Sequence, residues 1–234
     1  MKKLKIILIF LVLLGFGVSG AAATTIGLIE YGFNIDGVIF SRDIFDVDFG
    51  ATPSGVNATF DFSTGLGSFE VEIMGAGAHN VDLFVDHEID EMINSYFNET
   101  GSATGAPAAG QSWEIDEPGF FDGDIVVNFE NSALDNGIGT SIFGDTAFPE
   151  DVSMAMGWDF DLAAGETATV DFLLSLTAPT GGFFLTHTDP DSSASIYFSG
   201  ELTVVTPVSE PATILLAGTG LLGLLGLKKR RFKK

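Results

Sequence analysis

SMAMGWDFDLAAGETATVDFLLSL, residues 153–176, keeps a single period through most of its length. Met154, Met156, Trp158 and Phe160 alternate with Ser153, Ala155, Gly157, Asp159 and Asp161. Further on, Ala168, Val170, Phe172, Leu174 and Leu176 alternate with Thr167, Thr169, Asp171, Ser175 and Thr177, and Leu173 is the one apolar residue out of step. A period of two puts successive side chains on opposite faces of a strand, one buried and one wet. LAAGETA, residues 162–168, reads as the turn between two such strands, with Gly165 free to take a positive φ.

The same pattern recurs outward from this stretch. Phe45, Val47 and Phe49 alternate with Asp46 and Asp48; Phe69, Val71 and Ile73 with Glu70 and Glu72; Val81, Leu83 and Val85 with Asp82 and, beyond them, Asp86. A last run places Ile196, Phe198, Leu202 and Val204 on alternate positions with a slip at Ser199–Gly200. Strands of this length, divided by Gly, Pro, Asn and Ser clusters, predict an all-β domain: an antiparallel β-sandwich or jelly-roll-like fold. DHEIDEMINSYF, residues 86–97, is the one segment with three- and four-residue apolar steps, and it predicts a short surface helix. GSATGAPAAG, residues 101–110, reads as a flexible loop. With no cysteine, burial must hold the fold, and 22 phenylalanines supply much of the core. Phe183 and Phe184 are adjacent and so face opposite ways, which leaves one of them as a candidate surface contact.

Charge is segregated. All 32 acidic residues and only one basic residue, Arg42, lie within residues 24–227, a formal charge of −31. Such a body repels phosphate backbones and excludes nucleic acid as a partner. The other nine basic residues sit at the two ends.

At the first end, Lys2, Lys3 and Lys5 precede an apolar run from Ile6 to about Val18 and then small residues, the layout of a secretory signal peptide over residues 1–23. An Ala-x-Ala site at Ala21 and Ala23 would release a chain starting near Thr24. At the other end, Ala212 to Leu227 is free of charge and would extend about 24 Å as a helix. That is a short transmembrane span, and the basic residues 228–234 that follow it would stay cytoplasmic. Ser209, Glu210 and Pro211, then the Gly-rich apolar segment, then the basic terminus resemble the PEP-CTERM sorting signal of Gram-negative envelope proteins, with Ser209 where that family has proline. The resemblance implies processing by the membrane peptidase exosortase, an inner-membrane intermediate, and a final address at the cell surface or in the extracellular matrix. It also implies an exopolysaccharide or biofilm context. Residues 151–170 and 181–200 resemble, more weakly, the body of a subset of such proteins.

The expected organisation is a signal peptide (1–23), an acidic β-sandwich domain (24–205), a linker and processing motif (206–211), a transmembrane segment (212–227) and a basic tail (228–234). Signal peptidase and an exosortase-like enzyme are the expected partners, with exopolysaccharide a further one.

No catalytic motif is present: His79, His87 and His187 are scattered, and no metalloprotease, nucleophile-elbow, P-loop or dinucleotide pattern occurs. No catalytic residue or cofactor is therefore assigned. Asp86, Glu88 and Asp90 form one acidic cluster, while Asp122 with Asp124 and Asp189 with Asp191 are compact pairs; all are candidate calcium ligands, though none has EF-hand spacing. A solvated acidic face is the other reading of the same residues. The expected function is a non-enzymatic envelope or matrix protein; a calcium- or carbohydrate-binding module and a secreted hydrolase are the alternatives.

Overall fold

The computed structural model describes residues 24–90, 98–119, 124–139 and 151–207. Twelve strands and one short helix form two six-stranded sheets. The first sheet has the order β2-β1-β5-β9-β7-β8 and the second β3-β4-β10-β12-β11-β6. In the first sheet β1 is Ile26–Ile35, β2 Val38–Asp43, β5 Gly77–Ile89, β7 Gln111–Asp116, β8 Gly137–Ile138 and β9 Ser153–Leu162. In the second, β3 is Val56–Asp61, β4 Leu66–Met74, β6 Thr100–Thr104, β10 Thr167–Ser175, β11 Phe184–Asp189 and β12 Ala194–Val205; helix α1 is Ile125–Glu130. Every pairing is antiparallel except the two-residue β7–β8 contact.

All but one of the period-two runs become strands where they were expected. Phe69, Val71 and Ile73 of β4 and Ala168, Val170, Phe172 and Leu174 of β10 point inward, and Met154, Met156 and Trp158 of β9 meet them from the other sheet. The turn at 162–168 is present with Gly165 at φ +88°, but β9 and β10 belong to opposite sheets, so it arches between layers. Aromatic rings fill one end of the core: Phe33 meets Phe69 edge-on at 5.0 Å, and Phe60 lies 4.1 Å from Phe69.

Local rules explain two joints. Asp36 and Gly37, at φ +52° and +76°, close the two-residue hairpin between β1 and β2, the left-handed pair such a turn demands. In β1 the pairing with β5 skips from Leu28 to Glu30, a bulge that brings both Leu28 and Tyr31 to the inward face despite their three-residue spacing.

Several expectations are corrected. Residues 44–50 are turns and bends: Phe45 and Val47 are 92% and 106% exposed, and only Phe49 packs inward, its ring 5.6 Å from that of Tyr31. Residues 86–89 continue β5 and are not helical, since pairing with β1 outweighs the local periodicity; residues 91–97 lie outside the described residues. Thr100–Thr104 is strand β6, paired along β11, where a loop was expected. Leu176 lies just past the end of β10 and is 53% exposed. β12 pairs with β10 residue for residue with no slip, and Gly200 holds an inward position between Phe198 and Leu202. Phe183 and Phe184 are both buried.

The larger departure is a second layer. Ile125, Val126 and Phe129 of α1, with Leu134, pack on Phe84 and Ala155 on the outer face of the first sheet, forming a small core of their own. The polar face expected to be wet is therefore buried in the middle of that sheet: Asn34, Asp82, Asp86, Glu114 and Ser153 are all covered. Gly32 makes room for the Phe129 ring, and Gly157 for the Asp82 carboxyl. Asn34 ties the cover down, its amide donating to the carbonyls of Phe129 at 2.9 Å and Glu130 at 3.1 Å.

Candidate functional site

Glu99 and His187 were not linked by any sequence signal, being 88 positions apart, yet β11 and the residue before β6 bring them together. Glu99 Oε2 lies 2.6 Å from His187 Nε2, with both side chains essentially sealed from solvent. The approach is close but not aligned as a full hydrogen bond. Burial pushes the Glu99 carboxyl up to about 8, against backbone contacts from Val152 and Ile89 that lower it. Burial also drops His187 to about 3, so the proton resides on the carboxyl and the pair is neutral. His87 on β5 faces the same inter-sheet space; its Nε2 sits 3.0 Å from the Gly65 carbonyl, and burial, reinforced by His187, brings it to about 3. Nδ1 of each of these histidines meets no hydrogen-bond partner in the protein. The cluster has the chemistry of a proton-sharing acid and base, with all three side chains buried.

A band of carboxyls with raised proton affinity surrounds the covered face of the first sheet. Burial lifts Asp82 to about 7, Glu114 to about 7, Asp116 to about 8 and Asp151 to about 7, and holds Asp86 well above the usual carboxylate range. Arg42, the sole basic residue of the body, is spent at the surface on Asp48 at 2.9 Å.

The candidate calcium ligands scatter over this framework. Asp86 is buried on β5 and accepts from the Ser153 hydroxyl at 3.0 Å; Glu88, two residues on, is half-buried. Asp90 turns back to accept from the Thr25 amide at 2.6 Å. Asp124 precedes α1, and Asp122 lies outside the described residues. Asp189 folds its carboxylate over the β11–β12 turn, accepting from the amides of Asp191 and Ser192, both at 3.0 Å, while Asp191 accepts from Asn98 at 3.2 Å. The turn at 189–193 thus uses Asp189 as its own staple. Among the described residues no group of three or more His, Asp or Glu side chains is arranged to hold a metal ion.

Several recesses open to the surface among the described residues, two of them larger than 500 Å³. One, about 560 Å³, is mainly apolar and lies between Ile26, Leu28, Phe49 and Phe62. The other, about 660 Å³, lies where β11 stops accompanying β12: their pairing ends at Phe184↔Ser199, while β12 runs on to Val205 beside β10 alone. Trp158, Asp171, Leu173, Phe183 and Glu201 line it.

Strand β12 ends at Val205, two residues before the described chain stops at Pro207. A family model described as the PEP-CTERM protein-sorting motif matches residues 207–231. The chain carries a PEP-CTERM sorting motif. No curated protein and no solved structure matches the chain. The PEP-CTERM match begins two residues after the last strand, and it marks an exported protein handled by exosortase-type machinery and sorted at the membrane toward the cell surface. Ala21, Ala23, Ser209, Glu210 and Pro211 all lie outside the described residues. No helix among the described residues is long and apolar enough to cross a membrane, and Ala212 to Leu227 lies beyond them.

Proposed function

We propose that this PEP-CTERM protein is a non-enzymatic structural or adhesive component of the extracellular matrix of a Gram-negative bacterium. Signal peptidase would release residues 1–23, an exosortase-like enzyme would act on the tail after it has paused in the inner membrane, and the acidic sandwich would reside among exopolysaccharide chains. The observation that carries the reading is the sorting motif at residues 207–231, set immediately after the last strand of a domain that buries its own core. The charge of −31 over residues 24–227 supports a soluble, swollen-matrix setting, because it keeps copies apart and excludes nucleic acid.

Mass spectrometry of the protein recovered from its native envelope tests the delivery. Peptides crossing Leu215 and Leu222 should be absent from the surface form and should accumulate in the membrane fraction of a strain lacking the peptidase. Intact tails on surface protein would overturn the processing step. A deletion strain with unchanged matrix mass and cohesion would overturn the structural role.

A further inference from the structure

The two ends of the sandwich differ in chemistry. At one end lie the β1–β2 hairpin at Asp36–Gly37, the turn from β4 to β5 at Gly75–Ala76, the arch from β9 to β10 at residues 163–166, and the last residues of β12. Register holds them together. Met74, Thr167 and Val205 stand abreast on β4, β10 and β12, Gly77 pairs with Leu162, and the His79 ring reaches both the Asp36 carboxylate at 2.9 Å and the Gly75 carbonyl at 3.2 Å. Residues 74–78, MGAGA, and 162–165, LAAG, carry no charge, and Val38, Met74, Val204 and Val205 are all exposed at this end. Among the described residues its acids are Asp36, which faces His79, with Glu72, Asp161 and Glu166. The opposite end is crowded with them: Glu88 and Asp90 at the end of β5, Asp116 and Glu117 at the end of β7, Asp189 and Asp191 at the β11–β12 turn.

The chain leaves from the sparsely charged end. Glu166 of the arch accepts from the Thr206 hydroxyl at 2.9 Å, and a Cβ at Gly165 would come within 3.2 Å of the Pro207 ring, so the exit lies against the arch. Six residues, 206–211, then separate Val205 from the charge-free stretch that begins at Ala212. Even fully extended, they reach about 25 Å at most. As a helix of about 24 Å in a hydrocarbon core of roughly 30 Å, with its basic end at the cytoplasmic headgroups, Ala212 to Leu227 would start about 6 Å below the opposite headgroup layer. That shortfall and a headgroup layer of about 5–8 Å use up half of the linker. The end of the domain that bears the tail then stands within about 12 Å of the bilayer surface.

We propose that, while the tail spans the membrane, this end of the sandwich is seated on the bilayer surface, with Val38, Met74, Val204, Val205 and the uncharged turns among the headgroups and the acidic end directed away. The seating rests on the membrane-spanning reading of residues 212–227. Electrostatics selects the pose. The twelve residues of β12 extend roughly 40 Å, so the acidic end is several screening lengths of about 8–10 Å from anionic lipid in this orientation and directly upon it in the reverse one. The tether supplies an effective concentration in the millimolar range, so a weak apolar contact is enough while the tail is intact and is lost when it is cut. The surface thus orients the domain during sorting without holding the released protein to the membrane.

The chain has no cysteine, so single cysteines can carry a fluorophore at chosen positions. The chain from Thr24 to Lys234, the form that exists between the two processing steps, is reconstituted by its own tail at one copy per nanodisc of phosphatidylethanolamine and phosphatidylglycerol, with a headgroup nitroxide lipid as quencher. A label on Ala76→Cys, in the β4–β5 turn, should be quenched at least threefold more than one on Val47→Cys, fully exposed beyond β2 at the far end. Adding Met74→Asp and Val205→Asp should bring the Ala76 label down to the Val47 level with the unfolding midpoint unchanged, since both side chains end their strands exposed. A label on Leu222→Cys reports the tail separately. If it lies outside the hydrocarbon, the spanning reading fails and the seating with it. If it is embedded while the Ala76 and Val47 labels are quenched alike, the seating alone is overturned. Quenching of the Ala76 label that survives the double variant, or that appears only when discs carry two copies, would also overturn it.

Discussion

Replacing Glu99 with glutamine should flatten the pH dependence of this protein's stability. In the folded chain the Glu99 carboxyl titrates near 8, against a reference value of 4.5, because burial opposes its ionisation. Between those values the folded state holds a proton that the unfolded state has lost, so stability falls as the pH rises through that window. From about pH 6.5 to pH 8, ionising this one group inside the fold costs about 1.6 kcal/mol by linkage. That corresponds to about 3–6 °C of unfolding midpoint for a domain of this size. Thermal unfolding followed by circular dichroism, at fixed ionic strength, should show the parent less stable at pH 8 than at pH 6.5. Asp82, Glu114, Asp116 and Asp151, all lifted by burial to about 7 or 8, add to the same slope. Glutamine copies the neutral acid in size and keeps a donor toward His187, so the variant should lose Glu99's share of the slope while matching the parent near pH 5. Below about pH 6.5, His87 and His187, held near 3 in the fold, resist protons that the unfolded chain accepts and so oppose this slope. The raised carboxyls outnumber them, so stability should go on rising, more gently, until the unfolded chain's own carboxyls protonate near about pH 4. A parent more stable at pH 8 than at pH 6.5, or a Glu99→Gln variant with the parent's full slope, would refute the assignment of the proton to the carboxyl.

Gly157→Ala should destabilise the domain by about 2–4 kcal/mol in denaturant unfolding, because the new Cβ meets the buried Asp82 carboxyl and the cover above it prevents escape. Phe129→Ala should cost about 3–5 kcal/mol and, by admitting water to the outer face of the first sheet, should return the Asp82 carboxyl toward its ordinary range, readable by NMR titration of its side-chain carbon. Phe45→Ser, at a side chain 92% exposed, should change stability by no more than about 0.5 kcal/mol; a larger loss would mean that the Phe45 ring is packed against something in solution.

The inward side of the sandwich was legible in the sequence because its signal is local: β4, β5, β9 and β10 each contain a period-two run of five or more residues. The outer side was not. Ala155 and Gly157 are small enough to be taken for a wet face, and only the arrival of α1 from more than 20 residues upstream makes them interior. Helix α1 itself, six residues long with no capping side chain, is held by packing on Phe84 and by Asn34 rather than by its own propensity, so no local pattern announces it. The Asp36–Gly37 hairpin carried a usable signal, two turn residues before an apolar run, and could have been placed from the sequence. The Phe45 run shows the opposite error: alternation without a neighbouring strand to pair with does not make a sheet. Among the site residues, the sorting motif is contiguous and was readable at once, whereas Glu99 and His187 are brought together only by the fold.

Strand β12 is the last element before the sorting motif, and in its sheet it lies between β10 and β11. The final piece of the chain to be exported is thus the one that closes the sheet. Until Ala194–Val205 has cleared the translocation channel, β10 and β11 have no partner between them and present raw strand edges in a chain that already contains most of its hydrophobic surface. In the delivery proposed above, a tail that pauses in the membrane at that moment would do more than address the chain: it would hold each copy apart from the others for the interval in which edge-to-edge aggregation is easiest, and cleavage would release a molecule whose central strand is already in place.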